Sequence, residues 1–139
     1  MSRGGVDDRI GLKHGAGGRA MRALIEQVCL PALLGAPAAE GIGVADMDDG
    51  AAIPLGDRWL IVTTDSHVVH PIFFPGGDIG RLAVSGTVND LAVMGAVEVT
   101  ALTCAVVIEE GFPRADLERV YASIRAACDE AAAPIVTGS

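Results

Sequence analysis

Aromatic side chains are scarce in this 139-residue chain: three Phe, one Tyr and one Trp make up 4% of it. Half the residues are apolar, so a core must be built mostly from Ala, Val, Leu and Ile. Basic charge is scarce too. Ten Lys and Arg face eighteen Asp and Glu, and the formal net charge is −8. A domain that tracks a phosphodiester backbone needs a basic stripe, and none is visible, so nucleic acid is not expected as a partner. No Cys-x-x-Cys occurs. Cys29, Cys104 and Cys128 are odd in number, widely spaced and set among apolar residues, and they read as small hydrophobes in a reducing cytosol. No apolar run is long enough to span a bilayer. Residues 1–9 are polar, lack the apolar segment of a signal peptide and read as a flexible tail. A cytoplasmic protein without a membrane partner is expected, with one domain over residues 10–139.

Glycine, by contrast, is abundant, with eighteen residues that imply tight turns and close backbone approaches. After Ile10–Leu12 and a His14–Gly18 stretch (HGAGG), Met21, Leu24, Ile25, Val28 and Cys29 recur at helical spacing. The pattern fades at Gly35 into a Gly/Ala/Pro loop over 35–45. Ala51–Leu55 and Trp59–Thr64 read as strands joined at Gly56-Asp57, the second being β-branched and nearly continuous in apolar character. Ser66–Pro75 reads as an extended loop. Asp78 is a good N-cap for a helix over Ile79–Met94, apolar nearly all round and so expected to be buried, with Gly95 ending it. Val97–Ile108 reads as a long strand. Pro113 opens a helix presenting Leu117, Val120, Tyr121, Ile124 and Cys128 on one face, and Ala133–Thr137 reads as a last strand. Strands and helices mix without a regular βαβ rhythm. The expected fold class is α+β, a layered mixed sheet with helices on one face.

Three acidic segments carry the candidate chemistry. Asp46, Asp48 and Asp49 crowd into a glycine-bounded loop, where like charges repel unless solvated or bridged by a cation. Hard oxygens of this kind suit Mg²⁺, which takes one or two carboxylates plus phosphate oxygens, and a small anion such as ATP is compatible with the acidic charge on those terms. Spacing alone leaves a solvated acidic turn open. Asp65 follows a buried strand, either as a functional loop residue or as a turn former. Asn89-Asp90 interrupt an apolar helix, and no basic residue stands three or four positions from Asp90. A buried carboxylate there needs a distant partner or a metal. Gly15, Gly17 and Gly18 can offer N–H groups to phosphate where they enter the first helix, or simply form a tight turn; their spacing is not that of a P-loop. His67 and His70 with Asp65 would need a further strong ligand for Zn²⁺, and none stands close. Glu109-Glu110 reads as a solvated strand end.

Taken together, LKHGAGGRAM (12–21), DMDDGAAIPLGD (46–57), TTDSHVVHPIFFPGGDIGRLAVSGTVNDLAVMGA (63–96), EEG (109–111) and PIVTG (134–138) resemble the HypE-like hydrogenase-maturation proteins of the aminoimidazole ribonucleotide synthetase (PurM-like) superfamily. The matches run in order through nearly the whole chain, and FFPGGDIG followed by GTVNDLAVMGA is highly specific. The DDGA loop and strand-end Asp alone would also suit thiamine-monophosphate kinase or selenophosphate synthetase.

The resemblance implies a PurM N-terminal-like domain, with the sheets of two subunits pairing into a barrel to make a homodimer. It implies ATP and Mg²⁺ as cofactors, held by Asp48, Asp49, Asp65 and Asp90, with Asn89, Gly17 and Gly18 also at the nucleotide. It implies an enzyme that uses ATP to dehydrate a carbamoyl group on a C-terminal cysteine to thiocyanate, for the cyanide ligands of [NiFe]-hydrogenase. A HypF-like carbamoyltransferase and a HypC–HypD complex are the implied partners. Physically, phosphorylation turns a poor leaving group, an amide oxygen, into a good one. The family pattern continues after IVTG with Asp-Thr-Lys, whereas Ser139 follows Gly138 here. With that Lys, the second domain and the C-terminal cysteine outside the sequence, these 139 residues are expected not to complete the reaction. A dimerisation module without binding activity is the alternative of a different class.

Overall fold

The computed structural model describes residues 9–35 and 40–138. The polar tail at 1–8, the middle of the Gly/Ala/Pro loop and Ser139 lie outside the described residues.

The first helical stretch starts with a single turn, α1 (Leu12–Gly15), followed by α2 (Gly18–Leu24), a π-helical turn over Ile25–Cys29, and α3 (Leu30–Leu33). The widened turn immediately precedes Pro31, which has no N–H to give to a carbonyl one turn back. His14 is buried, and the Gly11 N–H donates to its Nδ1 at 2.9 Å, closing α1 locally.

β1 (Ala51–Leu55) and β2 (Arg58–Val62) form an antiparallel hairpin running from Ala51↔Val62 to Leu55↔Arg58. Gly56 takes φ 65° in its turn. Ile53, Leu55, Trp59, Leu60 and Val62 remain 43–63% exposed on this hairpin. β3 (Phe73–Phe74) and β4 (Gly77–Asp78) make a second, minimal hairpin that delivers the chain into α4 (Ile79–Val93). Asp78 caps that helix, its Oδ1 accepting from the Arg81 N–H at 3.0 Å. At the other end Ala96 N–H donates to Leu91 O and Gly95 N–H to Ala92 O, both at 3.0 Å, with Gly95 at φ 89°. This is a Schellman closure on glycine.

α5 (Arg114–Glu130) packs on α4, and together they hold the core. Val84, Leu102, Val120, Ile124, Ala127, Cys128 and Ala133 are buried, with Phe73, Ile79 and Val88 against them. The helices approach so closely at Gly80 that a Cβ there would lie 2.6 Å from Val120 O. Arg119 of α5 stacks 4.0 Å over the Phe73 ring. Arg81 clasps Glu130 through both guanidinium nitrogens, with Nη1 3.0 Å from Oε1. The Arg81 partnership lowers the Glu130 pKa, first through the hydrogen bond and then through the charge. β5 (Leu102–Cys104) lies parallel to β6 (Ile135–Gly138).

Helices and sheets mix as expected, but four sequence expectations are corrected. The strands make three two-stranded ladders among the described residues, not one mixed sheet. The long strand over 97–108 shrinks to Leu102–Cys104, because β6 supplies a partner only there, and Val97 and Val107 are more than 90% exposed. α4 is not buried all round: Gly80, Val84 and Leu91 face the core, while Val93 is 67% exposed. On α5, Tyr121 is half-exposed and Ala127 takes its place inside.

Candidate functional site

The antiparallel register of the first hairpin decides where the acids meet. Ala51 and Val62 are its last pair, so the Asp48-Asp49-Gly50 loop and the Thr63-Thr64-Asp65 segment leave the same end side by side. Thr63 ties them: its hydroxyl donates to the Asp49 carbonyl at 2.8 Å. The same hydroxyl lies 3.4 Å from Asp90 Oδ2 on α4. One hydroxyl has one proton, so the shorter bond takes it and Asp90 keeps acceptor capacity toward solvent. Gly50 lets the loop close on this end: a Cβ there would sit 2.9 Å from Val62 O and 3.1 Å from Met94 Cγ. Just before the acids, Met47 is held at φ 55°, a left-handed conformation that costs a non-glycine residue. Asp46 is used locally, accepting from the Gly43 N–H at 2.8 Å.

Asp65 is fixed at both oxygens. Oδ1 accepts from the Ser66 N–H at 2.8 Å, and Oδ2 stands 3.1 Å from His67 Nε2. The pair rests on α4 at Gly86, one turn before Asp90 and on the same helix face. Three segments thus present hard oxygen donors at one end of the hairpin: the Asp49 loop, the strand end with Thr63 and Asp65, and Asp90. No group of three His, Cys, Asp or Glu side chains converges as a metal cage among the described residues.

The other predicted residues have surroundings of their own. Asn89, next in sequence to Asp90, turns about 100° around the helix and lines a shallow groove between α4 and α5 with Arg81, Ser85, Val88 and Glu130. Gly17 and Gly18 start α2 with φ 79° and 68°, and nothing lies within 4 Å of a Cβ built at either. His70 is exposed and joins no metal group. Sequence reasoning missed Thr63, the residue linking the acidic loop to α4, and Gly86. An isolated glycine inside an apolar helix was the available signal for the second.

Comparison with known proteins places the chain. Residues 47–139 match the model of the AIR synthase related protein, N-terminal domain. The chain belongs to that family. Within it, the chain is similar over most of its length to proteins named carbamoyl dehydratase HypE: 48% identical to the one from Rhizobium leguminosarum bv. viciae over 96% of this chain and 36% of that protein, and 42% identical to the one from Escherichia coli (strain K12) over 94% of this chain and 38% of that protein. Among solved structures, one in a HypE–HypF complex superposes with a TM-score of 0.70 at 45% identity, covering 84% of this chain and 35% of the other. The HypE-type resemblance and the PurM-like domain class are borne out. The chain spans about a third of the length of these relatives, at 36% and 38%. No helix of the described residues is long and apolar enough to cross a membrane.

Proposed function

We propose that this chain is the ATP- and Mg²⁺-binding N-terminal part of a HypE-type carbamoyl dehydratase. The observation that carries the reading is the placement of Thr63, bonded to the Asp49 carbonyl and 3.4 Å from Asp90 Oδ2. It brings the acidic loop at Asp48-Asp49 and the helix acid Asp90 to one end of the hairpin, beside Asp65. The donor set fits Mg²⁺ as it is usually bound, by one or two carboxylates with water and phosphate completing the shell, and not by an all-protein cage. Asp48, Asp49, Asp65 and Asp90 would supply those carboxylates, one or two to an ion. Bound there, Mg²⁺ supplies neutralisation of the charge that develops on a transferring phosphoryl group. The chain's own part is to fix those carboxylates: Thr63 by tethering the loop, Ser66 and His67 by holding Asp65. Asn89, Gly17 and Gly18 are proposed as further nucleotide contacts, away from the metal-holding carboxylates. The carbamoyl transfer from a HypF-like partner and the delivery of cyanide to a HypC–HypD complex belong to the full-length protein in this proposal.

Calorimetry with Mg-ATP on the chain and on Asp90→Asn tests the reading. Binding that requires Mg²⁺ and weakens about tenfold or more in the variant is expected. Absence of both nucleotide and metal binding at millimolar concentrations would sink it.

The exposed apolar hairpin favours a second role, self-association. Ile53, Leu55, Trp59, Leu60 and Val62 are too many large side chains in one small ladder to be left in water without consequence. A homodimer whose hairpins pair is expected in sedimentation, and a clean monomer at micromolar concentration would refute it.

A further inference from the structure

We propose that His67 is a positioning residue that aims the Asp65 carboxylate, and that Gly86 on α4 exists to make room for it. The inference rests on the nucleotide-site reading above and adds two residues to it.

Three observations converge. First, the Asp65 carboxylate is gripped at both ends: Ser66 N–H donates to Oδ1 at 2.8 Å and His67 Nε2 lies 3.1 Å from Oδ2. A carboxylate can only accept, so the close contact with His67 is attractive when Nε2 carries a proton. One hydrogen bond and one close polar contact from adjacent positions restrain the carboxylate at both oxygens. Second, the imidazole is the more enclosed partner, with a side chain 16% exposed against 32% for Asp65. The oriented acid faces solvent while its holder is packed away. Third, the wall behind the pair is a glycine in the middle of α4. A Cβ at Gly86 would come 2.5 Å from His67 Nε2, 3.2 Å from its Cε1 and 3.4 Å from Asp65 Oδ2. Its three nearest neighbours are all atoms of this pair.

A purely structural role accounts for none of this well. A single polar contact of this kind contributes little net stability, and glycine inside a helix destabilises it relative to alanine. The fold would gain from alanine at 86, since the obstructing atoms are the far end of a side chain that can swing aside. What alanine would cost is the His67–Asp65 contact. Gly86 therefore reads as stability given up for the direction in which Asp65 points, and a metal-binding acid needs that direction.

The test uses the full chain with four substitutions: His67→Ala, His67→Gln, Gly86→Ala and Asp65→Asn. Three readouts are taken: Mg²⁺-dependent ATP binding by calorimetry, thermal melting, and the His67 ring nitrogens by long-range ¹H–¹⁵N NMR. In His67→Ala and Gly86→Ala, Mg²⁺-dependent binding weakens roughly 10–100-fold. The melting temperature stays level in the first and stays level or rises in the second. His67→Gln, whose amide N–H can reach the same oxygen, recovers most of the loss. The His67 ring shows the Nε2 proton, and its signals move in Gly86→Ala and Asp65→Asn. Unchanged binding in His67→Ala, or affinity and melting temperature falling in step, would overturn the proposal. A wild-type chain that binds no Mg-ATP removes the nucleotide reading, and the positioning claim then stands or falls on the NMR. A His67 ring without the Nε2 proton, or indifferent to Asp65→Asn, overturns it.

Discussion

α4 and α5 are packed against each other, yet they spend their polar residues in opposite ways. α5 is amphipathic, with Val120, Ile124, Ala127 and Cys128 inside and ion pairs at i,i+4 spacing outside, Arg114–Glu118 and Arg125–Asp129. Those pairs are largely solvated and decorate a helix that would form without them. α4 has few polar side chains, and several of them act at a distance or at the helix end. Arg81 reaches Glu130, Asp90 approaches Thr63, and Asp78 closes the N-terminus. The two C-terminal ends differ as well. α4 closes on Gly95, while α5 makes the same Schellman closure with Ala132 at φ 49°. α5 is the ordinary structural helix, and α4 is the one whose sequence is constrained by what it carries.

Four measurements would break or sharpen that contrast. Ile124→Ala empties the α5 side of the shared core, and a loss of about 2–5 kcal/mol in denaturant unfolding is expected. Asp78→Ala removes the buried cap of α4 and costs about 0.5–2 kcal/mol. Ala132→Gly relieves the left-handed alanine and should stabilise by about 1 kcal/mol, net of the entropy glycine adds to the unfolded chain. A destabilised Ala132→Gly would mean the α5 end is not strained. Arg125→Ala should cost no more than about 0.5 kcal/mol, and a larger loss would erase the distinction between decorative and placed charges.

The Arg81–Glu130 clasp has a pH signature. Glu130 titrates below its ordinary 4.5 in the folded chain, so the folded state binds the proton less readily than the unfolded one. The clasp's contribution is complete above that ordinary value and is lost as pH falls through the lower folded one. Glu130→Gln should flatten the acid limb of the stability curve there. Cys128 behaves oppositely: burial holds its thiol up, followed by the Asp129 charge. Burial of the thiol is without electrostatic cost below the ordinary thiol range, and stability is lost as pH rises from there through the raised folded value.

Much of α4 was legible in the sequence, because Asp78 and Gly95 are chemical signals for helix ends that do not depend on distant residues. The first hairpin was legible for the same reason, through Gly56 and the β-branched run before Thr63. The strand over 97–108 failed because an apolar run indicates what can pair, not whether a partner lies alongside. At the site, Asp90 stood out as a carboxylate with no local explanation, while Asp48-Asp49 and Asp65 could equally be turn residues and were tied to it only by the family resemblance. Thr63 did not, since its role depends on a register that places Asp49 beside it. Asn89 was grouped with Asp90 by adjacency, and helical geometry turns adjacent side chains to different surroundings. Gly86 became meaningful only once His67 was seen against it.

Trp59 is the one tryptophan of the chain, and it stands 53% exposed on β2, outside the helix core. Its fluorescence is therefore a private probe of the hairpin. A second copy that covers the Trp59 and Pro54 side of the hairpin should shift its emission to the blue at protein concentrations where far-ultraviolet dichroism, dominated by the helices, does not change, whereas one that covers only the opposite Ile53, Leu55, Leu60 and Val62 side should not. Heating should separate the two signals if the hairpin is uncovered before the helices melt, and make them coincide if the chain unfolds in one step.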